Sequence, residues 1–286
     1  MLAASVFIAA ATLMAKLSSD PQLGEPLHPL QISHGRFLFA WIVVASTAAI
    51  LRLKITAPNL RVHAARTLAG WSGVSLMFAA VAFIPLADAT AISFLSPVFA
   101  MMLAIPLLGE KVGRIRWIAA GVALFGALVL LRPTPTSFQP AALLALAAAV
   151  VMGLEIVLIK RLSGRESALQ ILFINNSFGL IIATIAAAFF WAPPSPAQWG
   201  ALAGTGVFMA IAQTCYVNAM RRAEASFVVP FAYATLVFAA LFDAALFGHR
   251  PDAASLLGAA IIILGAALLA WREARAARLA RARTNP

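Results

Sequence analysis

Apolar runs of roughly 17 to 25 residues recur from one end of the chain to the other, and nothing in the sequence constrains the fold more. Each run is long enough to cross a hydrocarbon core of about 30 Å as a helix. Lipid offers no water to backbone N–H and C=O groups, so each run must bond within itself. Runs of this length without polar alternation are helices rather than barrel strands. Ten such runs are present, with cores at Ala3–Leu17, Gln31–Leu51, Arg66–Phe83, Ala89–Leu108, Trp117–Leu131, Ala141–Ile159, Leu169–Trp191, Gln198–Met220, Ala225–Phe247 and Ala254–Trp271. Composition agrees, with 63% hydrophobic and 11% charged residues among 286, against about 45–50% and about 25% in a soluble domain. The reading is an all-α integral membrane protein of ten transmembrane helices with no soluble domain. The first run lacks a basic leader and is followed by further spans, so no cleavable signal is expected.

The connectors predict orientation. Lys and Arg collect in short loops on the cytoplasmic side. All but four of the 21 basic residues follow an even-numbered run, the exceptions being Lys16, Arg36, Arg132 and Arg250. Both termini are therefore expected in the cytoplasm. The tail carries Arg272, Arg275, Arg278, Arg281 and Arg283 at near-helical spacing, which suits an anchor on anionic headgroups. The net charge of +11 is thus read as topology, with the lipid bilayer and not nucleic acid as its partner.

The chain repeats itself. Leu108-Gly109-Glu110 aligns with Phe247-Gly248-His249 at an offset of 139, and Gly126 then falls on Gly265. Leu30-Gln31-Ile32 and Leu169-Gln170-Ile171 share the same offset. Ten helices divide into two halves of five, residues 1–132 and 133–286. Five is odd, so the second half enters the membrane upside down. Inverted repeats are a transporter architecture with the substrate site at the repeat interface.

An apolar helix ending in Leu108-Gly109-Glu110-Lys111, then a glycine-containing helix with Gly121 and Gly126, together with Ser96-Pro97 and the degenerate second copy from Phe247 to Gly265, resembles the EamA-type branch of the drug/metabolite transporter superfamily. The resemblance covers the whole chain. It implies export of amino acids and similar small polar metabolites, as in the amino-acid exporters of the YddG type, alongside relatives that import riboflavin or S-adenosylmethionine. It also implies a central cavity enclosed by the first four helices of each half, with helices five and ten peripheral, and a bacterial inner membrane as location. His249 departs from the acidic residue usual after the second glycine, which favours a structural role for Glu110.

Candidate solute contacts follow from polarity inside the spans. Glu155 interrupts the sixth run, where an acidic side chain costs roughly 2.5–3.5 kcal/mol; it would bind an ammonium group or a coupling proton, or form a salt bridge fixing helix packing. Asn175 and Asn176 on the seventh run, and Gln213, Tyr216 and Asn218 on the eighth, lie at similar depth. Amides donate and accept, which suits a zwitterion; helix-to-helix bonding is the competing role, and Asn176 and Gln213 with Tyr216 are the candidates carried forward. Arg36 lies deeper than Lys16 and His34, and these could attract a carboxylate or close an outer gate with Asp20, Asp88 or Asp243. Pro97 and Pro230 should kink the fourth and ninth helices as gates, near Ser93, Phe94 and Tyr233, while Met77 and Phe78 offer adaptable apolar contacts.

Other chemistries lack residues. There is no GxxxxGK[ST], HExxH or GxSxG motif, and His28, His34, His63 and His249 are too scattered for a metal. No cofactor, no metal and no enzymatic activity are expected. A solute gradient or the proton gradient would supply the energy. A non-transporting membrane scaffold is the alternative of a different class. The lone Cys215 excludes an internal disulfide.

Overall fold

The computed structural model describes residues 1–81, 83–84, 86–132, 140, 142–247 and 252–284, with backbone alone at 78, 81, 86, 87, 247 and 273–284. Among them every regular element is helical. The order is α1 (Leu2–Ser18), α2 (Pro29–Ile50), α3 (Leu60–Val81), α4 (Leu86–Ser93), α5 (Ser96–Leu108), α6 (Arg114–Leu131), α7 (Ala142–Ser163), α8 (Ala168–Ala188), α9 (Pro196–Arg222), α10 (Ala225–Val228), a 3₁₀ turn (Val229–Tyr233), α11 (Ala234–Phe247) and α12 (Ala253–Thr284). Eight helical spans among the described residues are long and apolar enough to cross a membrane, with the shorter Leu2–Ser18 beside them. The tenth is α3, of the same length as α2 but carrying Arg61, His63 and Arg66 in its first two turns. The Gly248-His249-Arg250 echo lies outside the described residues.

Local chemistry sets the ends. His28 Nδ1 accepts from Leu30 N–H (3.3 Å) ahead of Pro29 at the start of α2. Ser167 caps α8, and Ser195 with Gln198 forms a reciprocal capping box on α9, which satisfies donors a helix start leaves unpaired. Two expected kinks are full breaks. Proline lacks an N–H and its ring collides with the carbonyl four residues back. Accordingly α4 stops at Ser93, four residues before Pro97, and α5 restarts at Ser96. In the second copy Pro230 sits in the 3₁₀ turn between α10 and α11.

Packing divides the chain into two compact units, each drawing on both sequence halves. One comprises Met1–Trp71, Leu158–Ala223 and Phe238–His249; the other Ser72–Val157, Glu224–Val237 and Arg250–Pro286.

In the first unit α1 and α2 pack on α9, and α2 on α8. A Cβ on Gly206 would meet Phe39 Cβ at 2.4 Å and Ala40 N at 2.8 Å, so only glycine lets α9 lie this close to α2. The antiparallel pair α2 and α8 is fastened at both ends by the two glutamines of the repeat. Gln31 donates from Nε2 to Ala192 O (2.5 Å) and accepts from Ala192 N–H (3.1 Å). Gln170 does the same at the other end, accepting from Thr56 N–H (3.0 Å) and donating to Thr56 O (3.2 Å). With the offset of 139 these clamps are two-fold counterparts, slipped by three residues.

In the second unit α6 and α12 pack face to face. A Cβ on Gly126 would meet Gly258 O and Ile262 N, both at 2.8 Å, and one on Gly265 would meet Ala119 O and Ala123 N, both at 3.0 Å. Adding 139 to 126 and to 119 gives 265 and 258, so these contacts are also related by the repeat. The helix breaks meet as well. Tyr233 donates its hydroxyl to Phe94 O (2.8 Å), and the two residues are 139 apart.

Candidate functional site

The Leu-Gly-Glu turn does structural work in the second unit. Gly109 has φ +71° and ends α5, and its N–H reaches Ile105 O at 3.1 Å. That left-handed residue turns the chain so that Glu110, 8% exposed, points its carboxylate at the start of α10. It accepts from Ala225 N–H (2.7 Å), Ser226 N–H (2.9 Å) and Ser226 Oγ (2.7 Å). Arg116 completes the corner by pairing with Glu224 and donating to Ser226 Oγ (2.8 Å).

Several predicted contacts lie in this unit. Phe94 and Tyr233 stack with centroids 5.9 Å apart, and Tyr233 is fully buried. Ser93 Oγ returns to Thr90 O at 2.8 Å. Met77 packs on Ala80, Ile84, Ala89, Ala142 and Ala145. Phe78 is on α3, and its side chain lies outside the described residues. Glu155 sits half-buried on α7. Two residues earlier Gly153 abuts Phe99 Cβ (2.9 Å) and Ala100 N (3.0 Å) of α5. Residues two apart on a helix point about 200° apart, so Glu155 faces away from α5.

The first unit holds the others. Arg36 lies on α2 with its guanidinium 3.9 Å over the Phe37 ring. Asn176 is fully buried on α8 and donates from Nδ2 to Leu172 O (2.8 Å) and to Gln213 Oε1 on α9 (3.1 Å). Its Oδ1 is buried without a hydrogen bond. Tyr216 is half-buried one turn beyond Gln213. Lys16 pairs with Asp243 at 2.8 Å, the partner the sequence offered among three.

Polarity in the spans did not reveal a buried carboxylate between α7 and α8. Glu166 accepts from Asn59 N–H (3.0 Å), from His63 Nε2 (2.8 Å) and from Gln170 Nε2 (2.7 Å). Burial pushes its pKa up, but the bonds from Asn59, His63 and Gln170 outweigh this and hold it below the ordinary value. A lone carboxylate in a basic connector gives no signal in sequence; two of its three partners, Asn59 and His63, lie more than 100 residues away. Among the described residues no group of acidic, histidine and cysteine side chains could hold a metal ion.

Inverted-repeat contacts, broken spans and buried polar side chains inside membrane helices describe a carrier rather than a catalyst. The model of the EamA-like transporter family matches residues 1–132 and again 139–271. The chain belongs to the EamA-like transporter family. It is a multi-pass membrane transporter and not an enzyme.

Three similar proteins are named for the solutes they carry. An S-adenosylmethionine uptake transporter of Rickettsia bellii is 27% identical over 257 residues, 89% of this chain and 88% of its own. A riboflavin transporter of Vibrio cholerae is 32% identical over 222 residues, 76% and 73%. The pseudopaline exporter CntI of Pseudomonas aeruginosa is 30% identical over 193 residues, 65% and 66%. A crystal structure covers 95% of this chain and 96% of its own with a TM-score of 0.81 at 19% identity, and shows the fold alone.

Proposed function

We propose that this EamA-like transporter carries amino acids or amino-acid-derived metabolites across the bacterial inner membrane by alternating access between its inverted halves, residues 1–132 and 133–286. Its direction is export, as in the amino-acid exporters the sequence resembles. Solute or proton gradients supply the energy. The observation that carries this reading is the family match over both halves of the chain. Polar side chains within the spans support it: Glu155 for a solute ammonium group or a proton, Arg36 and Gln213 for a carboxylate, and, on α8 and α9, Asn176 and Tyr216 near Gln213. Ser93 and Phe94 are the amphipathic contacts beside the first break, buried Tyr233 holds Phe94 in place through its hydroxyl, Met77 is an adaptable apolar contact, and the breaks at Pro97 and Pro230 are the gates.

Uptake of S-adenosylmethionine is the second reading, favoured by the relative that spans 89% of the chain. Both solutes carry an α-amino carboxylate, so one assay addresses them. Purified protein in liposomes preloaded with single amino acids, S-adenosylmethionine or riboflavin is expected to show counterflow of an amino acid or of S-adenosylmethionine. Glu155→Gln is expected to slow it at least tenfold. Counterflow of riboflavin alone would remove the amino-carboxylate reading, and an unaffected Glu155→Gln would remove that charge from the mechanism.

A further inference from the structure

The amide pair in the first unit is polarised in one direction. Leu172 O can only accept, so the end of the Asn176 amide facing it at 2.8 Å must be Nδ2. The same nitrogen donates to Gln213 at 3.1 Å, so the end of the Gln213 amide facing it must be Oε1. Gln213 Nε2 is thereby turned away from α8, and no described residue accepts from it. A backbone carbonyl thus sets the polarity of two side-chain amides in series.

Depth and exposure say what this donor meets. Asn176 lies eight residues from the start of α8, and Gln213 nine from the end of α9, about 12–14 Å along each helix. Gln213 is partly exposed. An unpaired amide donor facing hydrocarbon is strongly unfavourable, so this face of α9 is wet. Beside Asn176, Asn175 is 8% exposed and bonds no described side chain or backbone group through its amide. On the opposite face of α9 Gly204 lies against Met14 of α1, and Cys215, eleven residues on, shares that side of the helix.

Resting on the transporter reading, we propose that Gln213 is a solute contact whose Nε2 donates to the solute's carboxylate, and that Asn176 is the positioning residue that fixes this orientation. Asn176 does not itself touch the solute. Aspartate at 176 cannot donate in its ionised form, so Gln213 would turn over and offer Oε1 outward, reversing the polarity at the same shape.

The test has two arms. In proteoliposomes the probes are S-adenosylmethionine and its decarboxylated analogue. Asn176→Asp is expected to raise KM for the first at least tenfold with Vmax within about twofold, and to leave KM for the second unchanged; Gln213→Glu should behave alike. A merely structural role would lower the yield of folded protein and shift both probes together, and either that or an unchanged KM overturns the proposal. If wild type moves neither probe, the solute reading fails and the second arm decides. In membrane vesicles, with Cys215→Ser as background, Gln213→Cys is expected to react with a charged methanethiosulfonate from water, while Asn176→Cys resists it. An inert Gln213→Cys overturns the proposal without reference to any solute.

Discussion

Gly109 holds φ +71°, and a Cβ there would touch nothing within 4 Å. Any side chain would therefore act only on the backbone, at roughly 1–2 kcal/mol for a left-handed residue. The glycine lets Glu110 reach back to the start of α10, which makes the motif recognisable in sequence and structural in function. The chemistry of Glu166 depends on its surroundings. Its folded pKa is lowered, so its contribution to stability is full above the unfolded carboxylate value of about 4.3 and fades as pH falls through the folded value. Glu166→Gln sets an amide N–H₂ against one of three donors, a loss of about 1–3 kcal/mol at neutral pH. Thermal unfolding in detergent should show a lower Tm at pH 7 and a shallower decline toward pH 4 than wild type; parallel curves would contradict this.

Among the elements, α6 and α12 depend on small residues at their crossing. Lipid gives no hydrophobic drive for helices to associate, so close backbone approach does the work. Gly121, Gly126, Gly258 and Gly265 look alike in sequence and differ in structure. Gly126→Ala meets Gly258 O at 2.8 Å, whereas a Cβ on Gly121 meets nothing within 4 Å. Gly126→Ala and Gly258→Ala should each destabilise by roughly 1–3 kcal/mol through overpacking. Gly121→Ala should be neutral or slightly stabilising through helix propensity. Unfolding of the three variants side by side checks this, and equal effects at 121 and 126 would remove the crossing as the cause. The paired clamps of Gln31 and Gln170 belong to the same scale. The sequence used both only to set the repeat register, because a bond to the backbone of a residue 161 or 114 positions away leaves no local trace.

For the whole molecule, the asymmetry of basic residues predicts that both termini lie in the cytoplasm. A fluorescent protein fused after Pro286 should fluoresce, and alkaline phosphatase fused there should be inactive. Phosphatase inserted between Arg132 and Pro140 should be active; the reverse pattern would invert the assigned topology.

By itself the sequence determined the helices, their number, the repeat offset and the family, because in lipid a backbone without water has one way to satisfy itself and hydropathy alone then marks the spans. It also named the polar residues inside them, since each is costly enough to stand out. Only the tertiary structure decided what each does. It put Tyr233 on the carbonyl of Phe94, buried Glu166 under His63, and set the amide of Gln213 through Asn176. Each partner lies in another segment, 37 to 139 residues away, and such pairing follows from packing in three dimensions, which no local spacing encodes.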